Sequence, residues 1–236
     1  MIRFVFILIS SLNLFPGSVL NGIAPSRSES FSGCNQDTLQ SKQILYNGRV
    51  WRNLYYKVLE DQFLFSKEFL PGSVTINGKT FGNTGVRYDI YNDEIMTVTD
   101  RGTILQMNKE MIDMFTFNFM NKAYQFKKLE ADSLNQLEGY VNVLYNGESS
   151  LLVKYKKEID LLGVDNKYDV FYQTHRIYLQ KEGIVNHVSG KKDLITLLND
   201  RKQLIKDFIK ANKIRLSKKN PGSFIPVLEY YDSLSL

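Results

Sequence analysis

The residues suited to chemistry are few and scattered. Asp89, Asp93 and Glu94 lie close together in the chain, and two acids facing each other across a cleft can share the acid and base work of glycoside hydrolysis. Asp93-Glu94 also fits a turn, where acids are common for local hydrogen-bonding reasons. His175 alternates with Ile177 and Leu179 and His187 sits near a strand end, positions that suit packing or local hydrogen bonding better than metal binding or catalysis. The single cysteine, Cys34, excludes an intramolecular disulfide framework and any multi-cysteine metal site. A couple between Cys34 and either histidine would lack the preorganisation that nucleophilic catalysis requires. The chain has no Gly-x-Gly-x-x-Gly, Walker loop, Gly-x-Ser-x-Gly elbow or His-Glu-x-x-His, so neither a cofactor nor a metal is expected.

The net charge of +5 belongs to one late segment. Residues 191–219 hold ten basic side chains against three acids, while the rest of the chain is slightly acidic. Lys202, Lys206, Lys210 and Lys213 interleave there with Leu194, Leu197, Leu198, Leu204, Ile205, Phe208 and Ile209. That pattern describes an amphipathic helix whose outer face could meet an anionic membrane surface. It equally describes a solvated face that confers solubility. Nucleic acid is the poorest fit for an exported chain. Trp51 and fourteen tyrosines could line a carbohydrate or peptide platform, or the tyrosines could simply fill half-buried strands.

The elements that must position these residues begin with an address. Arg3 precedes an apolar run from Phe4 to Leu14, followed by the small residues Gly17, Ser18, Gly22 and Ala24. Residues 1–24 therefore read as a secretory signal, with an uncleaved anchor or a buried strand as the alternative. Residues 25–42 are polar and serine-rich, a flexible arm. Cys34 follows Phe31-Ser32-Gly33, like the cysteine of a bacterial lipidation signal, yet a polar stretch separates it from the apolar run, so an unpaired thiol is the competing reading.

Residues 43–236 read as one β-rich domain. Pro71-Gly72, Asn77-Gly78, Asn92-Asp93, Arg101-Gly102, Asn146-Gly147 and Glu182-Gly183 punctuate it at hairpin intervals. About nine to twelve strands follow from the period-two alternation, most of them five to seven residues long. The expected fold class is α+β: an antiparallel meander forming a curved sheet, half-barrel or sandwich, with a helical C-terminal cover from about residue 189. Short strands and a helical end argue against an outer-membrane barrel. The clearest hairpin joins Gly139–Tyr145 to Ser149–Lys157, with Lys154 and Lys156 assigned to its wet face. Ser189 is the expected cap of a helix that breaks near Asn199-Asp200, and Phe224 to Tyr231 is a last short helix.

The run Leu45-Tyr46-Asn47-Gly48-Arg49-Val50-Trp51, the steps Phe63-Leu64-Phe65 and Gly72-Ser73-Val74, Tyr88-Asp89-Ile90-Tyr91-Asn92-Asp93-Glu94, Leu105 to Glu110 and the closing Tyr230-Tyr231 resemble a pattern in uncharacterised exported β-rich proteins of Bacteroidota. The resemblance covers residues 45–231. It implies an envelope location, in the periplasm or on an outer-membrane surface, and carries over no active-site residue. The leading expectation is a non-enzymatic envelope protein that binds a partner protein or an amphiphilic ligand beneath its helical cover. A carrier of lipid or lipoprotein with an apolar cavity and a hydrolase of envelope glycan or peptide are the alternatives.

Overall fold

The computed structural model describes residues 43–133 and 135–234; the signal segment, the arm and Cys34 lie outside them. After a single helical turn at residues 43–45 come eleven strands: β1 (Gly48–Val50), β2 (Leu70–Ile76), β3 (Lys79–Asp89), β4 (Glu94–Val98), β5 (Ile104–Met107), β6 (Ile112–Phe119), β7 (Lys122–Leu129), β8 (Gly139–Asn146), β9 (Ser150–Val164), β10 (Tyr168–Lys181) and β11 (Ile184–Val188). Helices α1 (Lys191–Leu197), α2 (Lys202–Ala211) and α3 (Ile225–Ser233) close the chain. No helix among the described residues is long and apolar enough to cross a membrane.

All eleven strands join one antiparallel sheet in the order β1-β5-β4-β3-β2-β6-β7-β8-β9-β10-β11. Two meanders, β2 to β5 and β6 to β11, meet along the β2–β6 pair. The expected turns at Asn77-Gly78, Asn92-Asp93, Arg101-Gly102 and Glu182-Gly183 close hairpins through left-handed residues, as at Asn77 (φ 48°) and Gly78 (φ 77°). Pro71-Gly72, expected as a turn, lies instead inside β2 as part of the ladder. Met120-Asn121 and Asp165-Asn166 make equivalent turns without glycine, so they carry no dipeptide mark in the sequence.

The sheet is rolled. Strands β3 and β8 are four steps apart, about 19 Å in a flat sheet, yet the Tyr88 and Tyr140 ring centroids are 6.0 Å apart. The Lys157 amide of β9 donates to the Ile90 carbonyl beyond β3 at 3.2 Å. The seam stays open as a sheet edge, and residues 59–64 bridge it. Leu64 donates to Tyr88 and Ile90 to Gln62 on one side, while Leu59 donates to Asp169 and Phe171 to Leu59 on the other, at 2.9–3.1 Å. Aromatic rings fill the interior. Phe115 and Phe126 stack at 4.7 Å, Tyr88 meets both edge-on, and Phe117 and Tyr140 complete a cluster without solvent access to speak of.

A second core lies under the helices. Leu151, Ile177 and Leu179 of β9 and β10 pack on Leu194, Leu198, Ile205, Ile209, Phe224 and Leu228. The break expected near Asn199-Asp200 is a 3-10 turn at Asn199–Arg201, and the last helix carries Pro226 in its first turn as expected. Ser189 does not cap α1: both its amide and its hydroxyl donate to Asp193, and Gly190 occupies the cap. Asp232 ties α3 to the sheet by accepting from the Tyr145 hydroxyl at 2.8 Å and from the Ser149 hydroxyl at 2.9 Å.

Two expectations about strands need correction. Strands β9 and β10 run to 15 and 14 residues, because each continues past its β8 or β11 neighbour as a shared ribbon. Lys154 is not on a wet face. Its ammonium lies 3.0 Å from Asp93, where the roll brings β9 against the β3–β4 turn.

Asp93 has positive φ (58°) and accepts from the Tyr88 hydroxyl at 2.5 Å, Lys109 at 2.7 Å, Lys154 at 3.0 Å and the Tyr140 amide at 3.3 Å. Burial pushes its pKa up, but the Lys154 charge and the bonds from Lys109 and Tyr88 outweigh it, and the carboxyl is held below its ordinary value. Burial likewise lowers Lys154, in spite of Asp93, and raises Tyr88. Only glycine fits beside this node. Gly139 has φ +80°, and a Cβ there would stand 1.9 Å from Asp93 Oδ2.

Gly139→Ala should therefore cost about 3 kcal/mol or more, through left-handed strain and displacement of a buried charge, read as a fall in the urea midpoint. A carboxyl depressed in the folded state contributes stability above its unfolded pKa, near 4, and loses that contribution as the pH falls through the folded value. Asp93→Asn should accordingly be destabilised at neutral pH, with the gap from the wild type closing below about pH 4. A gap independent of pH would show that the charge of Asp93 has no part in the lock.

Candidate functional site

The β3–β4 hairpin that carries Asp93 also carries the other two acids. Asp89 and Glu94 are directly paired across it, so their side chains share the face opposite the rolled interior. At this end of the sheet, where β1 pairs along β5 as the edge strand, lies an open cleft of about 410 Å³ lined by Arg49, Glu94, Gln106 and Lys109 among others. A narrower recess of about 90 Å³ continues it toward Trp51, Tyr55, Asn92 and Asp89.

The two acids differ in how far they are already used. Asp89 is 1% exposed and accepts from the Tyr91 amide, the Asn92 amide and the Asn92 side-chain amide at 2.8–2.9 Å, a turn role that the sequence assigned to Asp93-Glu94 instead. Burial raises its pKa against those bonds. Glu94 faces the cleft, with Arg49 Nη2 3.7 Å from its carboxylate and Arg49 Nε donating to Gln106 at 3.0 Å. Burial also raises Glu94, with Arg49 opposing and the Asp89 charge adding to the rise. Asp93 is enclosed by its own donors. The hairpin thus offers the cleft one available carboxylate, Glu94, flanked by cations. That set can bind a polar ligand, but it lacks the second free carboxylate that acid-base hydrolysis uses.

Trp51 serves an unforeseen partner. Arg87 is 7% exposed, and its guanidinium lies over the rings of Trp51 at 4.8 Å, Phe63 at 4.2 Å and Phe69 at 4.4 Å. It donates to the Lys67 carbonyl at 2.9 Å and, among the described residues, pairs with no acid and leaves its Nε without a partner. Burial lowers its pKa, and the ring faces supply the negative potential that a carboxylate would otherwise provide. Trp51 therefore packs as one wall of a cation cage at the back of the recess.

Lys202, Lys206, Lys210 and Lys213 are all exposed, on and just beyond α2, over the β10–β11 end of the sheet. Trp51 lies at the β1–β5 end, so the structure does not unite it with these lysines. None of the ion pairs found among the described residues involves any of the four. The histidines have local roles: His175 Nε2 lies 2.7 Å from the Lys218 carbonyl, and His187 packs edge-on to Tyr178. Sequence reasoning missed Arg49, Arg87, Lys109 and Lys154. Their partners come from distant strands, and the sole local hint was Gly139 ahead of an alternating strand.

No protein-family model matches the chain, and no curated protein and no solved structure matches it either.

The raised value of Glu94 is open to direct measurement. A carbon-13 titration of its carboxyl should give a pKa above the ordinary glutamate value, and Arg49→Ala should raise it further by removing the nearest cation. A fall on that substitution would mean that Arg49 does not face Glu94 in solution.

Proposed function

We propose that this chain is a non-enzymatic binding protein of the cell envelope that docks on an anionic lipid surface through the lysine stripe of α2. The observation that carries the reading is the exposure of Lys202, Lys206 and Lys210, four residues apart on one stripe, with no acid among the described residues in an ion pair with them. The neighbouring acid Asp207 is engaged by Gln203 at 3.0 Å. Ile205 and Ile209 bury the opposite stripe against the second core, so the helix is held with its cations outward. Export is part of the proposal and rests on the apolar run Phe4 to Leu14.

Binding is favoured over catalysis because Asp89, Asp93 and Asp232 are each saturated by donors of the chain itself. Binding on an outer face is favoured over carrying a lipid because side chains occupy both the roll and the space beneath the helices. The partner is accordingly taken on an exposed face, not beneath the cover.

Each lysine near a charged bilayer contributes about 1 kcal/mol. Alanine at Lys202, Lys206 and Lys210 together should weaken sedimentation with phosphatidylglycerol vesicles on the order of a hundredfold. Binding by the wild type should fall as salt rises, since exposed charges are screened. Trp51→Ala should leave vesicle binding unchanged while lowering the melting temperature. Equal binding by the triple variant and the wild type would remove the proposal.

A further inference from the structure

The β9–β10 ribbon carries a recess of about 300 Å³, lined by Lys154, Lys156, Glu158, Thr174, Arg176 and Tyr178 among others. Strand register brings these side chains together. Arg176 is directly opposite Lys154, and Thr174 directly opposite Lys156. Along each strand the members stand two residues apart, so all four share one face of the ribbon. Ile177 and Leu179 of β10 pack beneath the helices, and Arg176 and Tyr178, which alternate with them, face the other way. The recess therefore lies on the side of the sheet turned away from α2.

The charges of this array do not balance. Like charges directly opposite each other on a sheet destabilise it, and Lys154 and Arg176 are such a pair. Lys154 is met by Asp93 at 3.0 Å, but the same carboxylate also holds Lys109 at 2.7 Å. Lys156 meets Glu158 Oε1 at 2.9 Å, and the other oxygen of Glu158 accepts from the Tyr172 hydroxyl at 2.6 Å. Two carboxylates thus serve three ammonium groups, and both are occupied. Arg176 is exposed and, among the described residues, stands in no ion pair. Glu158 acts on it only through its field, behind the Tyr172 and Lys156 bonds.

A surplus of cations around a recess favours an anion. The guanidinium fork of Arg176, the ammonium of Lys156 and the hydroxyl of Thr174 are three separate donors. A phosphate group brings three oxygens and up to two charges to meet them, whereas a carboxylate brings two oxygens and one charge. The space exceeds a phosphate ion, and the half-buried Tyr178 gives an attached carbon skeleton an apolar wall. We propose that this recess binds the phosphate group of a soluble phosphate monoester. A bilayer held by the lysine stripe of α2 lies on the other side of the sheet, which favours a soluble ester over a lipid headgroup. The site is independent of that stripe and goes beyond docking at a lipid surface.

The test is isothermal titration calorimetry on the purified protein at low salt. Glycerol 3-phosphate and glucose 6-phosphate are the probes, with glucuronate and glucose as controls. At least one ester should bind, and the controls should not. Arg176→Gln should weaken that ester about tenfold or more, as loss of a charge-assisted hydrogen bond does, and Thr174→Val severalfold. Both positions are exposed, so the melting temperature should stay unchanged. Arg176→Gln should sediment with phosphatidylglycerol vesicles like the wild type, and alanine at Lys202, Lys206 and Lys210 should leave ester binding intact. The proposal is overturned if neither ester binds below about 10 mM, if glucuronate binds as tightly, or if either recess variant binds the ester like the wild type. It is equally overturned if Arg176→Gln loses vesicle binding, which would make the ligand a lipid headgroup, or if the triple lysine variant loses the ester, which would place the anion on α2.

Discussion

A sheet of eleven strands tends to splay unless something holds its distant parts together, and here a single carboxylate does much of that work. Asp93 sits in a left-handed turn between β3 and β4 and gathers a phenol, two ammonium groups and an amide from four places in the chain. Each donor belongs to a different part of the roll: the inner face of β3, the turn after β5, the start of β8 and the middle of β9. The seam residues 59–64 then bond to both sides of the gap that this convergence leaves. The aromatic interior depends on the same closure, because Tyr88 reaches Phe126 and Tyr140 only once the sheet has rolled.

The same economy governs the other buried charges. Asp89 holds the turn in which Asp93 sits, Asp232 pins the last helix to the β8–β9 turn, and Arg87 is housed among three aromatic rings. Burying charge is costly unless it is met by partners, and these groups are met largely from within the chain. Of the three neighbouring acids Asp89, Asp93 and Glu94, the first two are thereby used within the fold. Glu94 alone of the three acids remains available to solvent, and it stands among cations in an open cleft.

What is left for partners lies on the outside, and the two ends of the molecule differ in kind. The helical end presents exposed ammonium groups along one stripe of α2. The cleft beside the β3–β4 turn presents Glu94 among Arg49, Gln106 and Lys109.

By itself the sequence determined local structure. Asn77-Gly78 and Glu182-Gly183 favour left-handed turns, the alternation around Val141 and Val153 demands a sheet, and the apolar stripe through Ile205 and Ile209 demands a covering helix, because these are properties of a few neighbouring residues. It also marked the lysines of α2, since charge on one face of a helix follows from spacing alone. Only the tertiary structure decided that β6 would pair with β2 and that the sheet would roll. The roll then turned Lys154 inward to Asp93 and made Trp51 a wall around Arg87. Those outcomes rest on contacts between residues tens of positions apart, such as Asp93 with Lys154 and Asp232 with Ser149. Their energies depend on how far burial strengthens a charge pair or a hydrogen bond, and burial belongs to the folded whole, not to any stretch of chain.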